Sequence, residues 1–314
     1  MSTLLPRAVV DAHHHLWHLS EGHFPWLQEG YDADVFFLGD YAVLRRDFGV
    51  DDYRAAVEDL PVVATVHVEA ERSRAESLDE TRWLHAVHAA HGFPNAVIAN
   101  VEFLAPDADA QIRQHIAWPL VRGVRCKPRI SRAPDHSVRG EPGTLQDERW
   151  LAGLGLLRGH DLLWDVRVPY WHLEEAAEAI ARFPGLRVAV EHAGLPWDRS
   201  DAGLAIWRRG MTALAALPEV CVKLSEFGLP DAPWDAASTV RVVRETVGIF
   251  GAQRCMFASN LPVSGLRAPI AEVVRTVAEG LEALDEDARD AVWRGNAMRF
   301  YRIDAAEAIG LRGR

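Results

Sequence analysis

AVVDAHHHLW, residues 8–17, is the stretch on which the fold is read. Its β-branched opening marks a buried strand, and its polar close marks where that strand leaves the core. Alternate residues of a strand share a side, so His13 and His15 project together while His14 faces an outer helical layer. Two imidazoles a few ångströms apart suit two ligands of one divalent ion.

Seven more apolar runs follow: VVATVHVEA (62–70), AVIANVEFL (96–104), LVRGVRCKP (120–128), LLWDVRV (162–168), LRVAVEHAG (186–194), VCVKLSEFG (220–228) and RCMFASNLP (254–262). Amphipathic segments such as SLDETRWLHAVHAAHG, HLEEAAEAIARF and APIAEVVRTVAEGLEAL lie between them, with apolar positions repeating every three or four residues. Strands that each return through a helix make a parallel sheet, and eight of them favour closure. No glycine-rich phosphate loop follows the first strand, as an open doubly wound sheet would show. The expected fold is α/β: a (β/α)₈ TIM barrel forming a single domain over residues 1–314. An irregular stretch from Leu19 to Asp47, after strand 1, is too long for a simple connection and reads as a lid or binding loop. SRAPDHSVRGEPGT, after the fourth run, has the same character, and DEDARDAVWRGNAMRFYRI reads as a C-terminal closing helix.

Composition narrows the function by exclusion. At 314 residues the chain can bury a core without staples. Its formal charge of −11 argues against nucleic-acid and anionic-membrane partners, which need a concentrated basic surface. Cys126, Cys221 and Cys255 are far apart, odd in number and set in apolar runs, so they read as buried free thiols in a reducing compartment. No signal peptide and no membrane span is evident, so the expected location is cytoplasmic.

In a barrel of this kind the active site forms at the C-terminal ends of the strands. Polar residues collect there in every run: His13 and His15; His67 and Glu69; Glu102; Arg125 and Lys127; Asp165 and Arg167; Glu191 and His192; Lys223 and Ser225; Ser259 and Asn260. Lysine usage sharpens the pattern. Of 34 basic residues only Lys127 and Lys223 are lysines, and both fall at strand ends. With Arg125 and Arg167 they make a cationic mouth in an acidic protein, suited to a substrate carboxylate or a developing oxyanion. Trp17, Trp26, Tyr170 and Trp171 are candidate apolar walls.

DAHHHLW and the FPWL soon after it, VHVEAERSRAESLDETRWL, RGVRCKPR, EHAGLPW, VKLSEFG, MFASNLPV and the closing NAMRFYRI together resemble the amidohydrolase superfamily, in particular its amidohydrolase-2 group of sugar-lactonase-like proteins. The resemblance covers nearly the whole chain. It implies a barrel hydrolase opening a small sugar-acid or dicarboxylate lactone by water attack. A metal-dependent non-oxidative decarboxylase and a catalytically degenerate ligand-binding barrel are the alternatives. It implies a histidine cluster of His13, His15 and His192 that holds zero or one divalent ion, zinc or manganese, so the chemistry is expected to run with one metal or none. It implies Arg125 as a contact for a substrate anion, with Lys223 and Ser225 in the pocket wall. Lys127, Arg167, His67 and Glu69 join them as expected substrate contacts. Lys127 is also similar to a carboxylated lysine that bridges two metals in some relatives. Those relatives need a histidine on strand five, and only His172 lies nearby, so no two-metal site is expected.

One position departs from the family pattern. Where relatives carry an aspartate in a G-S-D-x-P-like run, this chain has Asn260, and an amide cannot take a proton from water at neutral pH. The base must come from elsewhere, with Glu226 the first choice and Glu69 or a metal-free histidine of the cluster the alternatives. The expected partner is a small molecule, anionic or polyhydroxylated. Oligomeric state is left open by the sequence, a homo-oligomer being one option because many barrels of this kind pair through their outer helices.

Overall fold

All eight apolar runs become strands. A computed structural model describes residues 4–230, 232–306 and 308. The strands are β1 (Val9–His14), β2 (Val62–Val68), β3 (Ala96–Ala99), β4 (Val121–Val124), β5 (Leu163–Val166), β6 (Val188–Val190), β7 (Val220–Leu224) and β8 (Cys255–Phe257). They form one parallel sheet in chain order, each paired with the next. Helices cover the outside, among them Ser77–His91, Glu148–Gly159, Asp201–Ala215 and Ala236–Phe250. Three of these start where a side chain takes a free backbone N–H. Asp147, Ser200 and Asp235 accept from Arg149, Gly203 and Ser238.

Two apolar layers result from the strand alternation. Val10, Ala12, Ala64, Val66, Val68, Ala96, Ile98, Leu163, Ala189, Met256 and Ala258 fill the barrel interior. The other faces pack with the helices into the larger outer core. The tail closes the barrel, as its apolar spacing suggested, but as a broken rod. Glu286–Asp290 is followed by a π turn, Ala291–Gly295, and then by Asn296–Tyr301. Ala297, Phe300 and Tyr301 reach the interior layer, and Trp293 packs on Phe257 with ring centroids 4.7 Å apart.

Between β8 and β1 a side chain does part of the work of the ladder. Backbone bonds run from Asn260 N to His13 O (2.7 Å) and from His15 N to Leu261 O (2.8 Å). Below them the buried Asp11 carboxylate accepts Ser259 N at 2.7 Å, Ser259 Oγ at 2.6 Å, Tyr53 Oη at 2.8 Å and His13 N at 3.2 Å. One carboxylate thus ties the first strand to the last, and it fixes His13 beside Asn260.

The stretch from Leu19 to Asp47 contains only a four-residue helix, Pro25–Gln28, and a short turn, Ala42–Leu44. Residues 131–144 have no helix or strand. All three cysteines are free, but Cys221 is only partly buried, unlike Cys126 and Cys255. Among the described residues no helix is long and apolar enough to cross a membrane.

Candidate active site

The C-terminal strand ends open into a cavity of 1210 Å³ roofed by the loop after β1. His15, Arg125, Lys127, Arg167, His192 and Asn260 line it, as do Trp26 and Trp171 among the aromatics singled out from the sequence. Trp17 and Tyr170 do not; they pack in the outer core.

His13 and His15 share one side of β1, with their Nε2 atoms 3.2 Å apart, because a register irregularity between Asp11 and His14 breaks the alternation that puts Val10 and Ala12 in the interior below them. His14 points outward, as expected, to Thr65 Oγ1 at 2.9 Å and the face of Tyr53. Three neighbours set the proton positions. His15 Nδ1 donates to Val68 O at 2.8 Å, which leaves its Nε2 as an acceptor. The Lys223 ammonium can only donate, and it faces His13 Nδ1 at 3.4 Å. His13 therefore carries its proton on Nε2 and gives it to His15. His192 Nδ1 lies 2.9 Å from Ser225 Oγ, whose hydroxyl has no other acceptor among the described residues, so His192 presents Nε2–H. Burial lowers all three imidazoles well below the usual histidine range. Lys223 adds to this for His13, Arg125 for His15, and Arg167 with Lys223 for His192. At neutral pH they are uncharged: poor bases, but good fixed dipoles.

The cations are mostly committed already. Arg125 gives Nε to Glu69 Oε1 at 2.6 Å and Nη2 to Glu69 O at 2.5 Å, with Nη1 3.4 Å from Glu191. Lys127 pairs with Glu71. Lys223 is wholly buried and pairs with Asp165 at 2.5 Å. Burial pushes the Asp165 carboxyl up and the ammonium pulls it back; the pair holds wherever the shared proton rests.

Asn260 donates Nδ2–H to Glu226 Oε2 at 2.5 Å. Glu226 Oε1 is buried without a partner. Burial raises this carboxyl to about 7, only partly offset by the Asn260 bond. Glu226 (φ 45), Asn260 (φ 54) and His192 (φ 58) all occupy the left-handed region, as does Glu71 (φ 57). Such conformations cost about 1–3 kcal/mol for most side chains and collect where function demands a geometry. Of the three that follow β6 to β8, His192 and Asn260 line the cavity, and Glu226 stands behind Asn260 without lining it.

A divalent ion fits this site by donor type but not by charge. His13, Glu191 and His192 bring ligand atoms within 4.8 Å of one another, the one such group among the described residues. His15, expected as a third ligand, lies outside that group and accepts from His13 instead. The β8 position that would supply a carboxylate is an amide. Arg125, Lys127 and Lys223 already pair with Glu69, Glu71, Glu191 and Asp165, and Arg167 bears on Glu191 through space without an ion pair. An added dication would meet ammonium and guanidinium groups at its ligands, so the residues do not fit a resident metal.

Two expected contacts lie elsewhere. His67 faces outward from β2 and accepts Leu16 N–H at 3.0 Å, away from the cavity. Val66 and Val68 face the barrel interior, so alternation turns His67 the other way. Glu69 is buried beneath Arg125 and does not line the cavity; nor do Lys223 and Ser225, which support His13 and His192 from below. Missed by sequence reading were Glu71, just past the β2 run, and the aromatic residues Phe36, Phe37 and Trp197 of the cavity wall. Only the length of the loop after β1 and the EHAGLPW motif hinted at the latter three.

A model of the amidohydrolase family matches residues 10–303. An L-fucono-1,5-lactonase of Burkholderia ambifaria is 30% identical over 300 residues, covering 94% of this chain and 96% of that protein. The crystal structure of an amidohydrolase from Burkholderia multivorans with bound zinc superposes with a TM-score of 0.75, at 27% identity over 95% of this chain and 100% of that one. A putative 2-pyrone-4,6-dicarboxylic acid hydrolase from Pseudomonas putida shares the fold, with a TM-score of 0.67 and 17% identity over 96% of this chain and 99% of that one.

Proposed function

The chain belongs to the amidohydrolase family, and on that footing we propose that it opens the ester ring of a lactone by water attack without a resident metal, using Glu226 as the base. The observation that carries this reading is the contact between Glu226 and Asn260. The carboxylate absent from the end of β8 stands 2.5 Å away on β7, with one oxygen unpartnered and its proton affinity raised to about 7. A base is most useful when its pKa lies near the working pH, and this one does.

The histidines and Glu226 divide the work because their surroundings push them apart. Glu226 takes a proton from water as the oxygen adds to the lactone carbonyl. Charge then gathers on the carbonyl oxygen, opposite His192 Nε2–H and the Lys127 ammonium. The ring C–O bond breaks as Glu226 returns its proton to the leaving alkoxide, and the product is a hydroxy acid. Lys223 and Asp165 touch no substrate in this scheme. They hold His13 Nδ1 as an acceptor and so orient the His13–His15 pair that flanks the cavity. The decarboxylase alternative needs a bound metal and loses its footing with the charge balance. The L-fucono-1,5-lactonase relative supports ring opening as the reaction class.

The test is acid release from a panel of γ- and δ-lactones, followed with a pH indicator. Ring opening is expected with the native chain and is expected to fall at least about a hundredfold in His192→Ala. If no lactone opens faster than in buffer, or if His192→Ala turns over normally, the assignment is wrong.

A further inference from the structure

Resting on the hydrolase reading of this same site, we infer from one half-buried cation without a carboxylate and one aromatic wall that the substrate is an anionic lactone bearing a flat apolar group, its carboxylate held by Arg167. Arg167 follows β5 and lines the cavity. Of the other cations that line the cavity, Arg125 has Glu69 and Glu191, Lys127 has Glu71, Arg74 has Glu69, Glu71 and Glu102, and Arg72 has Glu76, while Arg132 is exposed at the rim. Among the described residues Arg167 forms no ion pair and no hydrogen bond. Its one direct contact of this kind is with a ring, the guanidinium lying 5.0 Å over Phe37.

A stacked guanidinium keeps its edge free, and that edge matches a carboxylate with two parallel hydrogen bonds. Its position fits the chemistry. After burial, Arg167 is the first influence that lowers His192, and it also pulls down Glu226. A carboxylate bound there lies next to the reacting carbonyl, and it neutralises the cation that most disfavours a charged His192.

The rest of the wall argues against a polyhydroxylated ring. Phe37 stacks on Trp197 (5.6 Å, 25°) and Trp197 meets Trp171 at 5.8 Å. Sugar hydroxyls need unspent donors and acceptors, and Arg125, Lys127 and Glu71 in this cavity are already tied into ion pairs. Flat apolar surfaces beside a free guanidinium instead select a ring or a comparable planar group attached to an acid. The cavity, at 1210 Å³, exceeds the ~300–1,000 Å³ usual for ligand pockets, so there is room for both parts.

Binding is tested apart from turnover, with product-like probes that need no catalysis. Quenching of tryptophan fluorescence is titrated with 3-phenylpropionate, 3-phenylpropanol and gluconate. The expected order is phenylpropionate tightest by about ten- to hundredfold, the advantage one bidentate carboxylate contact confers. Arg167→Gln should erase the gap between phenylpropionate and phenylpropanol while phenylpropanol binding is unchanged. Phe37→Ser should weaken both phenyl compounds and leave the gap between them. Gluconate binding as tightly as phenylpropionate, or a gap that survives Arg167→Gln, overturns the inference. The same comparison separates the two readings. A carboxylate gap lost in Arg167→Gln upholds the substrate class even if no lactone opens, whereas ring opening without any gap leaves the hydrolase and removes the class.

Discussion

Glu226→Gln should cripple the enzyme and stabilise the protein at the same time. Gln is nearly isosteric and still accepts the Asn260 amide, but it cannot take a proton from water. A loss of about 100- to 10,000-fold in kcat/KM is expected. The stability arm follows from the raised carboxyl. The folded chain holds the Glu226 proton up to about pH 7, whereas the unfolded chain releases it near 4.5. Between those values the folded state binds more protons, so stability falls as pH rises through the window. A shift of that size amounts to about 3 kcal/mol once both states are ionised, which is roughly 5 °C in Tm for a chain of this length. Glu226→Gln removes the ionisation, so its Tm should exceed the native value by that amount at pH 8 and match it at pH 4. The native kcat/KM should rise with pH along a limb centred near 7, and the variant should lose that limb. Differential scanning calorimetry at the two pH values and a pH–rate profile on any lactone the enzyme opens give both arms. Activity within about threefold of native would end the role of Glu226 as base. An equal Tm gain at pH 4 would end the argument from its buried charge.

Three further outcomes are expected. Prolonged dialysis against EDTA should leave the rate unchanged; a dead apoprotein restored by one equivalent of zinc would overturn the charge argument at His13, Glu191 and His192. Glu226→Gln combined with Asn260→Asp returns the carboxylate to β8 and should recover part of the lost rate, measured as kcat/KM against the single variant. Ser259→Ala removes one of the hydrogen bonds that buried Asp11 accepts across the seam, and should lower stability by about 1–3 kcal/mol in urea unfolding.

Much of this was legible in the chain. Each strand could be read because a parallel barrel strand is buried on both faces and appears as an unbroken apolar run with a polar close. The closing helix could be read too, though its π turn at Ala291–Gly295 could not, because a one-residue slip leaves the apolar spacing intact. At the site, His15, Lys127 and Asn260 line the cavity at the strand ends their motifs pointed to, while His13 and Lys223 lie beneath it. Sequence spacing failed at His67 because the inward set on β2 is Ala64, Val66 and Val68, and register, not proximity to the motif, decides the face. It could not tell free cations from spent ones. Arg125 and Arg167 look alike in RGVRCKP and LLWDVRV, and only tertiary contacts show Arg125 paired with Glu69 and Glu191 while Arg167 lies over a ring with no ion pair among the described residues.

The near absence of lysine has a practical consequence. Lys223 is wholly buried, and the Lys127 side chain is 30% exposed, inside the cavity. An acylating amine reagent therefore meets, apart from the α-amino group, one reachable target, and that target stands in the active-site cavity. Labelling of Lys127 would report occupancy of the cavity by protection, giving a footprint assay for ligands that needs no engineered handle and no knowledge of the natural substrate.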